Sequence, residues 1–132
     1  MLSYKTELAN KINNHYKSRI VAAEEINGVW SEIHTYFHDL NLSLAKVIEL
    51  LGNHVNYSDD GKIIEFKLGE NGIRFVKEIF GIQVVKIYPG SAELMAILEV
   101  KDKVVVNEET NEVLSESLID HWVKDAIEIH LN

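Results

Sequence analysis

Seven large apolar residues recur in steps of three and four along one segment of the chain: Trp30, Ile33, Phe37, Leu40, Leu44, Val47 and Leu51. This spacing predicts a helix that packs lengthwise against another element. The pair Gly52-Asn53 is a typical stop signal for such a helix. A stripe of this size must be covered, either by the rest of the chain or by a second molecule.

A first helix is predicted from Ser3 to about Asn27, because apolar residues recur there mainly in four-residue steps. Asn27-Gly28 provides a stop signal after it. Two helices joined by so short a link predict an antiparallel hairpin over residues 1–53. The first helix offers mainly Leu8, Ile12, Tyr16, Ile20 and small alanines, which are too few to cover the second. We therefore expect the excess on the second helix to face the sheet, another helix or a second copy.

The period of the apolar pattern changes from about 3.6 to 2 after residue 61. Turn signals divide residues 61–107 into four or five short strands, which predicts an antiparallel meander. Residues 92–100 fit a helix by composition and a strand by alternation. We predict a strand, because the following Lys101-Asp102-Lys103 and three valines complete a hairpin.

A last amphipathic helix is predicted over residues 115–130, with its acidic side chains on the side away from the sheet. Helices at both ends of an antiparallel sheet make the expected fold class α+β. The sequence contains no internal repeat and no long linker, so residues 1–132 are predicted to form a single domain.

The net charge of −8 is distributed unevenly along the chain. Residues 1–20 carry +3, whereas residues 21–132 carry −11. An acidic body repels phosphate backbones, so direct nucleic-acid binding is not expected, and a basic protein partner is the more suitable one. No apolar run is long enough for a membrane span, and the first residues lack the apolar core of a signal peptide. We therefore expect a cytoplasmic protein that does not bind membranes.

Three histidines form the first candidate for a chemical site. His34 and His38 are four residues apart on the second helix, and His15 is the candidate third ligand on the opposing helix of the expected hairpin. Solvent-facing histidines are the commoner cause of this spacing. Arg19, one turn after His15, could bind a carboxylate or another anion through its guanidinium group. Alternatively, its aliphatic stem covers the edge of the hairpin.

Motifs for covalent, nucleotide or metal-dependent catalysis are absent from the sequence. The chain has no cysteine, which excludes a thiol nucleophile and thiolate metal ligands. Its acidic pairs lie in predicted turns, where carboxylates usually cap the backbone. These features favour a protein without enzymatic activity and without a cofactor, but they do not exclude an enzyme.

Two functions therefore remain as hypotheses. The first is a non-catalytic interaction or regulatory module that binds a partner through its acidic surface. A homodimer through the stripe of seven apolar residues in the second helix is its most concrete form. The alternative is a protein that binds a small molecule or a metal through the three histidines, and such a protein could be an enzyme. Mimicry of nucleic acid is a less well supported idea, because a charge of −8 is moderate for this length.

Overall fold

The computed structural model describes residues 3–131, so Met1, Leu2 and Asn132 of the predicted domain lie outside it. The helices are α1 (Tyr4–His15), α2 (Lys17–Ser43), α3 (Ala45–Leu51) and α4 (Glu116–Ala126), and short 3-10 turns occupy Gly52–His54 and Glu128–Leu131. The strands are β1 (Val55–Asp59), β2 (Ile63–Leu68), β3 (Asn71–Lys77), β4 (Gly81–Tyr88), β5 (Ser91–Lys101) and β6 (Val104–Asn107). The fold class is α+β, as predicted.

The predicted helical hairpin is wrong, because the chain does not reverse at Asn27-Gly28. Helix α2 is 27 residues long and runs through this pair without a break. Glycine costs only about 1 kcal/mol in a helix interior, and burial of Ile26 and Trp30 on either side offsets that cost. The real interruptions are single residues, Tyr16 and Leu44, and backbone hydrogen bonds of helical type continue across both. Helices α1, α2 and α3 are thus successive segments of one helical run.

The sheet has six strands, not four or five, in the sequential order β1 to β6, and every neighbouring pair is antiparallel. The prediction missed β1, whose last residues were assigned to a turn. The turn itself begins later, where the carboxylate of Asp60 accepts hydrogen bonds from the backbone of Lys62 and Ile63. These bonds hold the pKa of Asp60 below its usual range. Residues 92–100 lie within β5, which confirms the predicted strand.

Helices α2 and α4 pack on the same face of the sheet. Phe37 of α2 lies 5.4 Å from Phe75 of β3, measured between ring centroids, and Trp122 of α4 lies 6.2 Å from the same ring. The hydroxyl of Tyr36 donates a hydrogen bond of 2.7 Å to Asp120, which joins α2 directly to α4. The core therefore lies between the sheet and these two helices.

The C-terminal helix begins where the sequence predicts it and ends sooner. The side chain of Ser115 caps α4 by accepting the backbone N–H of Leu118. Regular helix stops at Ala126, and a 3-10 turn follows after Ile127. None of the helices within residues 3–131 has the length and apolar character needed to cross a bilayer.

Candidate functional sites

The first candidate site is an open cleft between α2 and the β1–β2 hairpin, with a volume of about 780 Å³. Its lining brings together two of the three histidines named above, His34 and His38, with Asp59 at the end of β1. Nδ1 of His34 is hydrogen-bonded to the carboxylate of Asp59. The rings of His34 and His38 stack with centroids 5.7 Å apart. The helical spacing of four places the imidazoles side by side, and the β1–β2 hairpin supplies the carboxylate.

A carboxylate that accepts Nδ1–H leaves Nε2 of a neutral imidazole as an electron-pair donor, which is the arrangement found around many metal-bound histidines. The cleft also contains Tyr57, whose buried hydroxyl has no hydrogen-bond partner among the described residues. Burial, and secondarily the charge of Asp59, raise the pKa of this tyrosine. Lys77 lines the same cleft and adds a positive charge. The cleft thus offers two ring nitrogens and an unused hydroxyl.

The third histidine does not belong to this cleft. His15 lies beside the β5–β6 turn, in a depression that also contains Asp102 and Lys103. It precedes His34 by 19 residues in the same helical run, which corresponds to about 28 Å at 1.5 Å per residue. The set of three histidines was expected from a hairpin that does not form, so the structure does not bring His15 together with His34 and His38. Within residues 3–131, no three histidine, cysteine or acidic side chains are grouped as a metal site requires.

Arg19 lies in the first turn of α2 and is exposed. Its guanidinium carbon is 5.5 Å from the centroid of the Tyr16 ring, which is a cation–π distance. The ring of His15 meets the other side of this small cluster, edge to face with Tyr16 at 4.7 Å. The structure thus places Arg19 against an aromatic ring of its own helix. Its predicted role in anion binding stays a prediction.

The apolar stripe of the second predicted helix is divided by the structure into two parts. Trp30, Ile33 and Phe37 are buried against the sheet within the chain. They are therefore not available for the homodimer contact that the sequence suggested. Leu51 is exposed at the end of α3. The remaining members of the stripe, Leu40, Leu44 and Val47, form one wall of an apolar groove.

This apolar groove has a volume of about 640 Å³. Its floor is formed by the ends of β1 and β2, and its second wall by the end of α4 and the turn after it. The apolar lining residues are Leu40, Leu44, Val47, Val55, Phe66, Leu68, Val123, Ile127 and Leu131. Only a few polar residues join them, among them His54 and Asn71. The groove is therefore a second candidate site, suited to apolar ligands.

No known family identifies this chain. Comparison with family models, with curated proteins and with solved structures finds no match. Any assignment of function therefore depends on the geometry of these sites.

A third depression, of about 350 Å³, separates α2 from α4 and is acidic. Glu32, Asp39 and Glu116 line it together with Tyr36. Burial is the main cause that raises the pKa of Tyr36, and the hydrogen bond to Asp120 acts in the same direction. Two of these acids lie on α2 and one on α4, so the depression brings three carboxylates near one another.

One surface was not identified from the sequence: the solvent-exposed apolar face of α1. None of the residues of α1 is buried. Its apolar residues and those of the first turn of α2 are all exposed, and they are spaced four apart: Tyr4, Leu8, Ile12, Tyr16 and Ile20. The signal was visible in the sequence. The stop signal at Asn27-Gly28 predicts a reversal of the chain, and such a reversal would place these apolar residues inside a hairpin.

Proposed function

We propose that this protein is a non-catalytic interaction module that binds an amphipathic helix of a partner protein in the apolar groove. The observation that carries the proposal is the groove itself, whose walls and floor come from three different parts of the fold and are mostly apolar. Small polar substrates need several convergent polar groups to fix their orientation, and this groove offers few. A helix with apolar residues at intervals of three and four matches an apolar groove of this kind.

Charge further defines the occupant. The body of the chain, residues 21–132, carries −11, so the polar side of a docked helix should be basic. Complementary charge of this type speeds association and selects among partners more than it adds to affinity. The proposed partner segment is therefore an amphipathic helix with lysine or arginine on its polar side. The cytoplasm remains the expected location.

Two synthetic helical peptides test this proposal, both with leucines at alternating intervals of three and four residues. One carries lysines on its polar side, and the other carries glutamates. Binding of each fluorescent peptide is measured by anisotropy. We expect the lysine peptide to bind and the glutamate peptide to bind more weakly. Replacement of two exposed groove residues, Val47→Gln with Leu131→Gln, should weaken binding of the lysine peptide by about tenfold, because apolar burial is lost without a change in charge.

Leu94→Gln is the matched control, since Leu94 is also exposed and lies on β5, outside the groove. This variant should bind the lysine peptide as the unaltered chain does. Binding that the groove variant leaves unchanged would refute the proposal, as would the absence of lysine-peptide binding by a monomeric form of the chain.

A second candidate function is supported by the contact between His34 and Asp59. In this alternative, His34 and His38 bind a divalent transition metal through ring nitrogens, and Asp59 orients the first of them. Calorimetric titration with zinc tests it. Asp59→Asn should weaken zinc binding by about 10- to 100-fold, and His38→Asn should abolish it. His121→Asn, on α4, is the control, and equal zinc binding by all these variants would exclude the alternative.

A further inference from the structure

Helix α1 presents an apolar face that no residue between 3 and 131 buries. The five residues of this face run from Tyr4, which is 72% exposed, to Ile20, which is 41% exposed. Soluble monomers rarely leave a continuous apolar stripe of this length in water. Helix α1 continues into α2 through helical hydrogen bonds at Tyr16, but none of its own residues is buried, and most helical stability in proteins comes from packing. Packing of α1 against a partner would therefore provide a stabilisation that its own chain does not supply.

The groove of the same molecule is out of reach for α1. The groove begins at Leu40, 23 residues after the start of α2 at Lys17, which corresponds to about 35 Å along the helix. Helix α1 is about 18 Å long, so it covers only half of this distance even if the chain folds back completely at Tyr16. Only the groove of another molecule can receive it.

The N-terminal segment and the rest of the chain carry net charges of opposite sign. Residues 1–20 contain Lys5, Lys11, Lys17 and Arg19 against one acid, Glu7, and carry +3. The rest of the molecule carries −11. Contact between residues 1–20 of two copies would bring +3 against +3, whereas contact between this segment and the body of a second molecule brings opposite net charges together. Helix α1 thus has both properties of the occupant described above, an apolar stripe and a basic polar side.

We propose that two copies of this chain exchange their α1 helices, so that α1 of each copy lies in the apolar groove of the other. The inference rests on the proposed function, because it uses the same groove, and it names the partner as a second copy. A reciprocal exchange covers both grooves and both helices, and it closes the assembly at two molecules. The partner of the groove is then supplied by the protein itself.

Sedimentation equilibrium of the full chain tests the inference. We expect a dimer. Two double variants should each raise the dissociation constant of the dimer by at least about tenfold. The α1 variant combines Leu8→Gln with Ile12→Gln, and the groove variant combines Val47→Gln with Leu131→Gln. All four side chains are exposed, so the folded chain should tolerate these changes, and circular dichroism verifies this. Leu94→Gln is again the control and should remain a dimer.

Mixing the α1 variant with the groove variant gives a sharper result. A heterodimer of the two retains one intact helix in one intact groove, so the mixture should form dimers at concentrations where each variant alone is monomeric. The absence of cysteine from the chain permits a direct test of proximity. A chain with Leu8→Cys and another with Val47→Cys should form a disulfide-linked pair under oxidation, whereas Leu8→Cys with Leu94→Cys should not.

The outcomes separate this inference from the proposed function. A monomeric chain that binds the lysine peptide in its groove would overturn the exchange and leave the proposed function intact. A dimer that the groove variant does not weaken would also overturn the exchange, as would open-ended assemblies. If α1 fills the groove of its partner, the monomeric α1 variant should bind the lysine peptide more tightly than the unaltered chain does.

Discussion

Replacement of Gly28 by alanine tests whether α2 is one continuous helix. Gly28 lies near the middle of α2, is exposed and has a negative φ angle. A β-carbon at this position would meet no atom within 4 Å. Alanine therefore fits without a clash, and it reduces the conformational freedom of the unfolded chain. We expect Gly28→Ala to stabilise the protein.

The expected gain is about 1 kcal/mol, the difference in helix propensity between glycine and alanine. For a domain of this length, that change corresponds to an increase of about 4 °C in the melting temperature. If Gly28 instead ended a helix in the left-handed conformation, as the hairpin prediction required, the same substitution would cost about 1 kcal/mol. The sign of the effect therefore distinguishes the two structures.

Urea unfolding followed by circular dichroism measures this difference. Gly69→Ala is the matched control, because Gly69 also has open space around its α-carbon but a φ of +63°. We expect Gly69→Ala to destabilise the chain by about 1 kcal/mol, since alanine is strained in that conformation. A decrease in stability for Gly28→Ala, similar to that of the control, would refute a continuous α2.

Three further substitutions test the core, a link between helices and a cap. Phe37→Ala should lower the free energy of unfolding by about 3–5 kcal/mol in urea, because Phe37 is fully buried among aromatic rings. Tyr36→Phe should cost about 1 kcal/mol at neutral pH through loss of the hydrogen bond to Asp120. The pKa of Tyr36 is raised in the folded state, so the folded chain keeps the phenolic proton at alkaline pH values at which the unfolded chain has lost it. Stability should thus be retained below pH 10 and fall above it, more steeply for the unaltered chain than for Tyr36→Phe in alkaline melting curves. Ser115→Ala should cost about 1 kcal/mol in thermal melts, because the cap on Leu118 is lost.

The sheet could be predicted from the sequence because its signals are local. Alternation of apolar and polar residues defined β2 to β6, and turn residues separated them. Strand β1 was missed because it lies at the edge of the sheet, where one buried residue, Val55, is followed by intermediate and exposed ones. A half-exposed edge strand that contains serine and aspartate closely resembles a turn.

The candidate sites were less predictable, because they depend on contacts between distant segments. The spacing of His34 and His38 was visible, whereas the contribution of Asp59 depends on the placement of β1 beside α2. The groove combines residues from 40 to 131, and no local pattern indicates that arrangement. The third histidine, His15, lies apart from the other two, because the predicted grouping depended on a chain reversal that does not occur.

The surplus of apolar residues on the second predicted helix has a structural explanation. The sheet covers Trp30, Ile33 and Phe37, and the apolar residues of the stripe that follow them are less deeply buried. Beyond them the same stripe continues as Leu40, Leu44 and Val47, now facing the groove. At the other end of the helical run, α1 repeats the apolar spacing without any sheet below it. One continuous helix that is longer than its sheet therefore leaves an apolar surface at each end, and the N-terminal end belongs to a segment of charge +3, whereas the rest of the chain carries −11. This difference is what makes an exchange between two copies more favourable than contact between like ends.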